Sequence, residues 1–444
     1  MKRSLAHRIK IITIWILYMP TVGFFFLVTW LDRRLRFSLS FPRDVQQLSE
    51  RKEWLLAELK KNNTLPADAV IDSCEVKAMN QAVIFRSNAG TVEIKYTTGG
   101  AQHTLKCFAK FAPTMGTVWN KTIFNLQLNH IKEAWFNLYF VNQNKNVPAP
   151  HVFLSRISIL TGNLCLITEH LGDDIEYQEC SYAHLPQEHL DMAIDGLASL
   201  HAEFWGDTSA RVARALPISD TVVDMFDYVV AGGWSMQARD ILTQSWKRMN
   251  VPQTILHGDS RIGNMMFPSP QGGRYVLIDW QAARRGKGAV DLSYFLILSL
   301  ISRHRKEVEQ ASVDTYHRLL LAKGVKEYSR ADLEEDYRHG CLCTLVLLSL
   351  PLLSGEVSAE GIAAQIFVFG MDRWRERMRI KFEDFDYVWM ADRYGMTEAE
   401  ARAAIAEMLG VIEARLKKIA DSSEIKMSLV EILKDQGIPH EFEI

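Results

Sequence analysis

The longest uncharged stretch of the chain covers residues 11–31, near the N-terminus. As a helix, a run of this length can cross the hydrocarbon layer of a bilayer, which is about 30 Å thick. Arg33 and Arg34 follow it closely, whereas a signal peptide has a shorter apolar core and a small-residue cleavage site. The pattern therefore predicts a single-pass membrane anchor within residues 1–36. A signal peptide and an apolar helix buried in the folded domain are the alternatives.

Residues 45–62 have the spacing of a short amphipathic helix, and segments of alternating apolar and polar positions follow them. The Gly99-Gly100 pair between two of these segments is typical of a hairpin turn. A helical pattern over residues 122–142 interrupts the series. The alternation predicts strands at 71–78, 91–98, 104–111, 151–160 and 164–171. These elements together predict a small antiparallel sheet with one helix inserted.

From residue 188 onward the hydrophobic pattern is mostly helical, with one β-like segment at 254–281. The apolar run 341–353 is too short to span a bilayer and predicts a buried helix. The predicted fold class is therefore α+β. We divide the chain into an anchor (1–36), a sheet-bearing lobe (45–170), a helical lobe (171–380) and a helical extension (381–444).

Composition excludes several classes of protein. The 444 residues are 48% hydrophobic and 23% charged, which is enough apolar material for a packed core and argues against a disordered chain. The formal net charge of −2 lacks the basic excess of a dedicated nucleic-acid binder, so no nucleic-acid partner is expected. The six cysteines show no zinc-ligand or disulfide-framework spacing and are expected to be free thiols.

The segment from His257 to Trp280 carries the candidate chemistry. Asp259 and Asn264 stand five positions apart, and Asp279 follows a short apolar strand that a hairpin would bring back beside them. Two carboxylates and an amide oxygen form a site that suits Mg²⁺ bound together with phosphates and water. We expect Asn264 and Asp279 to hold the metal. Asp259 would then orient or deprotonate an acceptor hydroxyl in phosphoryl transfer.

Three further residues fit the same reaction. Lys110 lies deepest in the apolar part of the third strand, and we expect it to pair with the α- and β-phosphates of ATP. Lys106 lies on the same strand face and is the alternative. Glu133, on the following helix, would pair with Lys110 and hold it in place. Arg261 is placed to reach the γ-phosphate.

Four motifs carry a resemblance to a known family. These are HGDSRIGN, LIDWQ, FAKF and HIKEAWF, at 257–264, 277–281, 108–111 and 130–136. The set resembles the aminoglycoside phosphotransferase/choline-kinase-like superfamily, which includes the CHK-type (ecdysteroid-kinase-like) and bacterial phosphotransferase-enzyme branches. The resemblance extends over roughly residues 65–380.

This resemblance implies a protein-kinase-like, two-lobed fold, with a small antiparallel N-lobe sheet and a mostly helical C-lobe that carries the catalytic loop. It also implies ATP-dependent phosphorylation of a hydroxyl on a small molecule. Thr168, Glu169 and His170 would form the hinge along which adenine binds. The chain departs from the family in the nucleotide-covering loop, residues 79–90, which contains only Gly90.

Two other functions stay open. The glycine-poor loop at 79–90 is compatible with a catalytically inactive, kinase-fold module that binds nucleotide. A lumenal protein kinase with glycosylated Asn62 and Asn120 is the weaker alternative, because no A-P-E motif follows the metal-binding aspartate. The basic residues on both sides of 11–31 do not fix its orientation, but ATP use places the kinase domain on the cytoplasmic side of the membrane.

Three residues beside these motifs are expected to be structural. We expect His257 to pack and to hydrogen-bond its loop. Asp291 is expected to cap or tether the helix that follows it, and His201 to be a buried histidine with satisfied hydrogen bonds.

Overall fold

The computed structural model of the chain describes most of the sheet-bearing and helical segments. The described residues are 5–35, 39–78, 88–112, 118, 122, 129–144, 146–172, 175–177, 185–207, 209, 241, 245, 252–270, 272–354 and 381–420. They divide into two compact units. Unit 1 consists of 1–81, 86–142 and 150–170, and unit 2 of 82–85, 143–149 and 171–444.

Five strands form one antiparallel sheet in unit 1. They are β1 (Val70–Ala78), β2 (Asn88–Thr98), β3 (Ala101–Phe111), β4 (Val152–Ile157) and β5 (Leu164–Glu169). The order across the sheet is β1-β2-β3-β5-β4, and every neighbouring pair is antiparallel. The small antiparallel sheet expected from the alternating pattern is confirmed.

Helices precede and interrupt this sheet. They are α1 (Leu5–Leu35), α2 (Val45–Glu50), α3 (Lys52–Lys61) and α4 (Asn129–Phe136), and α4 continues into a π-helix at Asn137–Val141. The single helix expected over 45–62 is broken at Arg51, whose backbone leaves the helical region (φ −120°, ψ 42°). The break still allows Leu48, Leu55 and Leu59 to pack into one core with strand residues of the sheet.

The N-terminal anchor finds no support in the structure. Within the part of the chain that is described, no helix combines the length and the apolar character that a membrane crossing requires. The uncharged run 11–31 lies within α1.

The β-like segment in unit 2 forms two small antiparallel arrangements. Strand β6 (Ile175–Tyr177) pairs with β8 (Met265–Pro268), which pairs with β9 (Val276–Leu277). Strand β7 (Thr254–Leu256) pairs with β10 (Arg284–Gly286). The loops between these short strands carry Asp259, Asn264 and Asp279.

The other described elements of unit 2 are helices. They are α5 (Gln187–Glu203), α6 (Gly288–Ser299), α7 (Ser302–Ala322), α8 (Arg330–Ser354), α9 (Tyr387–Tyr394) and α10 (Glu398–Ala420). Helix α6 is apolar around its circumference, and α5, α7 and α8 contact it, so nearly every residue of α6 is buried. This buried helix supplies the residue that anchors the candidate site.

Candidate active site

The loop after β7 carries the candidate catalytic aspartate and requires a glycine. Gly258 has a φ of 82°, a left-handed conformation that is costly for residues with a Cβ atom. A Cβ atom at this position would also lie 2.2 Å from the carbonyl oxygen of Ala282. Any side chain at this position would therefore push these two backbone segments apart, so Gly258 fixes the chain just before Asp259.

Asp291, in the first turn of α6, holds this loop from below. Its carboxylate accepts the backbone N–H of His257 at 2.6 Å and that of Gly258 at 3.0 Å. Ser260 Oγ donates to the backbone oxygen of Asp291 at 2.8 Å. Asp291 therefore tethers the catalytic loop to α6, and tethering is one of the two roles that its sequence position predicted. The feature of the sequence that indicates this role is a carboxylate within an otherwise apolar helix.

A chain of buried side-chain hydrogen bonds keeps Asp291 in its charged form. His201 Nε2 lies 3.3 Å from the Asp291 carboxylate, and His201 Nδ1 lies 2.7 Å from the Tyr316 hydroxyl. Burial alone would raise the pKa of Asp291, but the His201 hydrogen bond and nearby positive groups hold that pKa below its ordinary value. The expectation that His201 is a satisfied buried histidine is confirmed.

His257 has a structural role in the same loop, as expected. Its Nε2 lies 2.9 Å from the backbone oxygen of Ile278, and the Asp259 N–H lies 3.3 Å from its Nδ1. These contacts fit one neutral tautomer, in which Nε2 donates and Nδ1 accepts. The ring also packs edge-on against Trp280. His257 therefore joins the segment before Asp259 to the segment before Asp279.

Three side chains orient the carboxylate of Asp259. Tyr294 donates its hydroxyl to Oδ1 at 3.0 Å, and Asn264 Nδ2 donates to Oδ2 at 2.9 Å. Arg261 Nε lies 3.3 Å from Oδ1 and forms an ion pair. Burial, and then the Asp259 charge, raise the pKa of Tyr294 well above its ordinary value, so its phenol keeps the proton that it donates. Tyr294 was missed in the sequence because it lies 35 positions away, on α6.

Asn264 directly precedes β8, and Asp279 comes after β9, the strand that pairs with β8. The Ile278 N–H donates to the Asn264 backbone oxygen at 3.0 Å, so the two candidate metal ligands flank one backbone hydrogen bond. Asp279 has a φ of 66°, an uncommon left-handed conformation for a residue other than glycine. Such conformations persist where the surrounding structure holds them, and they concentrate at functional sites.

The donor atoms at this position fit a hard metal ion. Both N–H groups of the Asn264 amide point to Asp259, one to its backbone oxygen at 2.8 Å, so the amide oxygen is the atom left to face a ligand. With the Asp279 carboxylate, this gives two oxygen ligands, and Mg²⁺ takes its other ligands from phosphates and water. Among the described residues, no group of three or more His, Cys, Asp or Glu side chains could hold a metal alone.

Unit 1 brings together the other predicted pair. Lys110 Nζ on β3 lies 2.7 Å from Glu133 Oε1 on α4, and both side chains are largely buried. Burial alone would raise the pKa of Glu133, but the positive charge of Lys110 and a contact with His130 lower it below its ordinary value. Lys106, the alternative on the same strand face, is exposed. The role of Lys110 and Glu133 in binding nucleotide stays a prediction.

The predicted hinge lies at the end of β5. The Glu169 N–H donates to the His151 oxygen at 2.9 Å, and the His170 N–H donates to the Lys106 oxygen at 3.2 Å. Thr168 is buried and pairs with Phe108 in the sheet register. The backbone N–H groups of Glu169 and His170 thus donate to oxygens within unit 1. The contact of the hinge with adenine stays a prediction. Residues 79–87 of the nucleotide-covering loop lie outside the described residues.

Comparison with known proteins supports the resemblance carried by the motifs. The model of the ecdysteroid kinase-like family matches residues 235–326, which include Asp259, Asn264 and Asp279. The match confirms the resemblance to the phosphotransferase superfamily over this segment. No curated protein matches the chain.

Several solved structures show a weak likeness at the level of the chain trace. A candidate aminoglycoside phosphotransferase from Ralstonia eutropha has 13% identity and a TM-score of 0.44, over 81% of this chain and 97% of that one. A Plasmodium vivax ethanolamine kinase has 13% identity and a TM-score of 0.42, over 80% of this chain and 98% of that one. Choline kinase LicA from Streptococcus pneumoniae has 13% identity and a TM-score of 0.41, over 75% of this chain and 99% of that one. Likenesses with TM-scores this low do not indicate the substrate of this chain.

Proposed function

We propose that this chain is a small-molecule kinase, which uses ATP and Mg²⁺ to phosphorylate a hydroxyl group. The observation that carries the proposal is the Asp259 carboxylate, oriented by Tyr294, Arg261 and Asn264 on a loop that Asp291 tethers to a buried helix. An aspartate held by so many contacts and still partly exposed, with 18% of its side chain accessible, is suited to receive a substrate hydroxyl.

In the proposed reaction, the acceptor oxygen attacks the γ-phosphorus of ATP as the bond to the β,γ-bridging oxygen breaks. Asp259 orients the hydroxyl and takes its proton. Arg261 offsets the charge that develops on the transferred phosphoryl group. Lys110, fixed by Glu133, pairs with the α- and β-phosphates, and residues Thr168–His170 border the adenine.

The metal has a supporting part in this proposal. Mg²⁺ would neutralise the phosphate oxygens during transfer. Asn264 and Asp279 are the residues that would hold it, because both carry side-chain oxygen atoms and the Ile278 N–H joins the backbone just before Asp279 to that of Asn264. No cluster of stronger ligands occurs among the described residues. The donor set thus favours a metal that arrives with the nucleotide.

The partner and location complete the proposal. The acceptor is a small molecule with a hydroxyl group, whose identity the motifs do not specify. We also propose that the N-terminal run 11–31 attaches the enzyme to a membrane, with the kinase domain on the cytoplasmic side. The uncharged length of this run supports that assignment.

The test is the Asp259→Asn variant, which keeps the shape of the side chain but cannot accept a proton. A library of hydroxyl metabolites, offered with ATP that is radiolabelled at its γ-phosphate, first identifies an acceptor for the unchanged enzyme. We then expect Asp259→Asn to lower kcat on the order of 100- to 10,000-fold, with an unchanged melting temperature. Asp392→Asn, at an exposed position of α9, is the matched control.

The possible outcomes separate the candidate functions. Full activity of Asp259→Asn would contradict the proposed role of this carboxylate. Mg·ATP that raises the melting temperature without any transfer to the library would instead favour the inactive nucleotide-binding module. Transfer to peptides but not to small molecules would favour a protein kinase.

A further inference from the structure

One face of the C-terminal part of α1, which belongs to unit 1, is buried. Val22, Thr29 and Asp32 are buried, and their spacing of seven and three places them on one side of the helix. Phe25 and Val28, which lie on or beside the same side, are half-buried. The helix therefore has a defined inner face from residue 22 to residue 32.

The outer face of the same helix is apolar. Phe24, Phe26, Leu27 and Trp30 are exposed, with 53% of Leu27 accessible. A surface helix in water normally shows the opposite arrangement, with apolar residues inward and charged residues outward. These four large side chains, all within residues 24–30, form a continuous patch of a kind that marks an interaction site.

A second apolar feature is tied to the end of α1. The Asp32 carboxylate pairs with Arg43 at 3.1 Å and accepts a hydrogen bond from Asn163 Nδ2 at 3.1 Å. Asn163 belongs to the turn between β4 and β5, whose residues Ile159 and Leu160 are more than half exposed. This buried polar clamp holds the turn beside the end of the helix.

The charges at the end of α1 indicate what covers these surfaces. Arg33 and Arg34 are exposed in its last turn, and the Arg34 guanidinium lies 5.5 Å from the centre of the Trp30 ring. Aromatic residues next to basic ones are typical of the membrane interface, where the rings lie at the headgroup level and the cations meet anionic lipids. A second copy of the chain would not require this basic border.

We propose that unit 1 lies on an anionic lipid bilayer, with the outer face of α1 and the Ile159–Leu160 turn inserted together. This surface is defined by Phe24, Phe26, Leu27, Trp30, Ile159 and Leu160. The contact goes beyond attachment through a single segment, because the Asp32 clamp would fix how unit 1 faces the membrane. The inference does not depend on phosphoryl transfer, so lipid contact and kinase activity are measured separately.

The test places a fluorescent reporter on the turn of the full chain. Leu160→Cys is labelled with an environment-sensitive dye, and Val70→Cys, a similarly exposed position on β1, is the matched control. The unsubstituted chain, treated in the same way, gives the background from its own cysteines. Each protein is mixed with vesicles of four parts phosphatidylcholine and one part phosphatidylserine, with and without brominated acyl chains.

We expect the dye at position 160 to shift to the blue and to lose about two-fold or more of its emission to brominated lipid, as an inserted side chain would. The dye at position 70 should stay water-like. Vesicles without phosphatidylserine should bind more weakly. Equal, water-like emission at both positions would overturn the proposal. Quenching absent at 160 together with self-association of the chain would also overturn it and favour a second copy as the partner.

Discussion

At the scale of single residues, the Asp259 carboxylate receives hydrogen bonds or ion pairs from three different side chains, which restrict its rotation before any substrate binds. Such pre-orientation matters because phosphoryl transfer depends mainly on positioning and charge. Tyr294 is the most informative of the three partners, since it comes from α6 and carries no charge of its own near the proposed γ-phosphate position.

The Tyr294→Phe variant tests this orientation. Loss of the hydroxyl removes one hydrogen bond to a charged group, which is worth about 1.5–3 kcal/mol, so we expect kcat to fall roughly 10-fold or more. The fold should be retained, because the ring still fills its space. Tyr139→Phe, at an exposed position of unit 1, should leave kcat unchanged. A Tyr294→Phe enzyme with unchanged kcat would mean that Arg261 and Asn264 alone orient Asp259.

The Lys110→Met variant tests the proposed phosphate contact in unit 1. We expect kcat/KM for ATP to fall about 10- to 100-fold, whereas Lys106→Met, on the same strand face but exposed, should have little effect. The single change also leaves the buried Glu133 charge without its main partner and should lower stability by about 3–5 kcal/mol.

The double variant Lys110→Met/Glu133→Gln separates the two effects. Removing both charges should restore much of the melting temperature but none of the activity. If activity returns along with stability, the lysine has only a structural role.

At the scale of elements, the site depends on how closely the loop after β7 approaches the segment around Ala282. Gly258 permits this approach, and Asp291 holds it through two backbone N–H groups. The same conformation with less crowding occurs at Gly324, where φ is 98° and an added Cβ atom would meet no other atom within 4 Å. The two glycines therefore form a natural matched pair.

Substitution of each glycine by alanine separates backbone strain from crowding. Gly324→Ala should cost about 1 kcal/mol of stability through its left-handed conformation and keep full activity. Gly258→Ala carries the same strain and also a clash with the Ala282 oxygen, so we expect a larger loss of stability and of kcat. Thermal unfolding and initial rates measure both. Equal effects of the two substitutions would show that the approach at Ala282 is not needed.

The sequence predicted the local elements of the site better than its long-range contacts. Strand alternation and the Gly99-Gly100 turn predicted the unit 1 sheet, because both signals are local. The break at Arg51 and the Tyr294 contact depend on tertiary packing, which no short pattern encodes. In α6, uniform apolar character predicted burial but could not indicate which residues face the loop.

At the scale of the whole molecule, acidic and basic residues nearly balance, with 53 against 51. General charge repulsion therefore contributes little near neutral pH, and individual buried groups can dominate the pH dependence of stability. Asp336 on α8 is such a group in unit 2. Its side chain is buried and accepts a hydrogen bond from the Tyr328 hydroxyl at 2.9 Å.

Burial raises the pKa of Asp336 to about 7, although the Tyr328 hydrogen bond and Lys287 act in the opposite direction. In the unfolded chain its pKa is near 4. Between these values the unfolded state releases the proton first, so the free energy of unfolding should fall as the pH rises from about 4 to about 7. The predicted loss is on the order of 4 kcal/mol, complete above pH 7.

Asp336→Asn keeps an acceptor for Tyr328 but cannot ionise, so denaturant unfolding of the variant should lack this loss. At pH 8 the variant should be the more stable protein, and parallel stability curves for the two proteins would contradict the raised pKa.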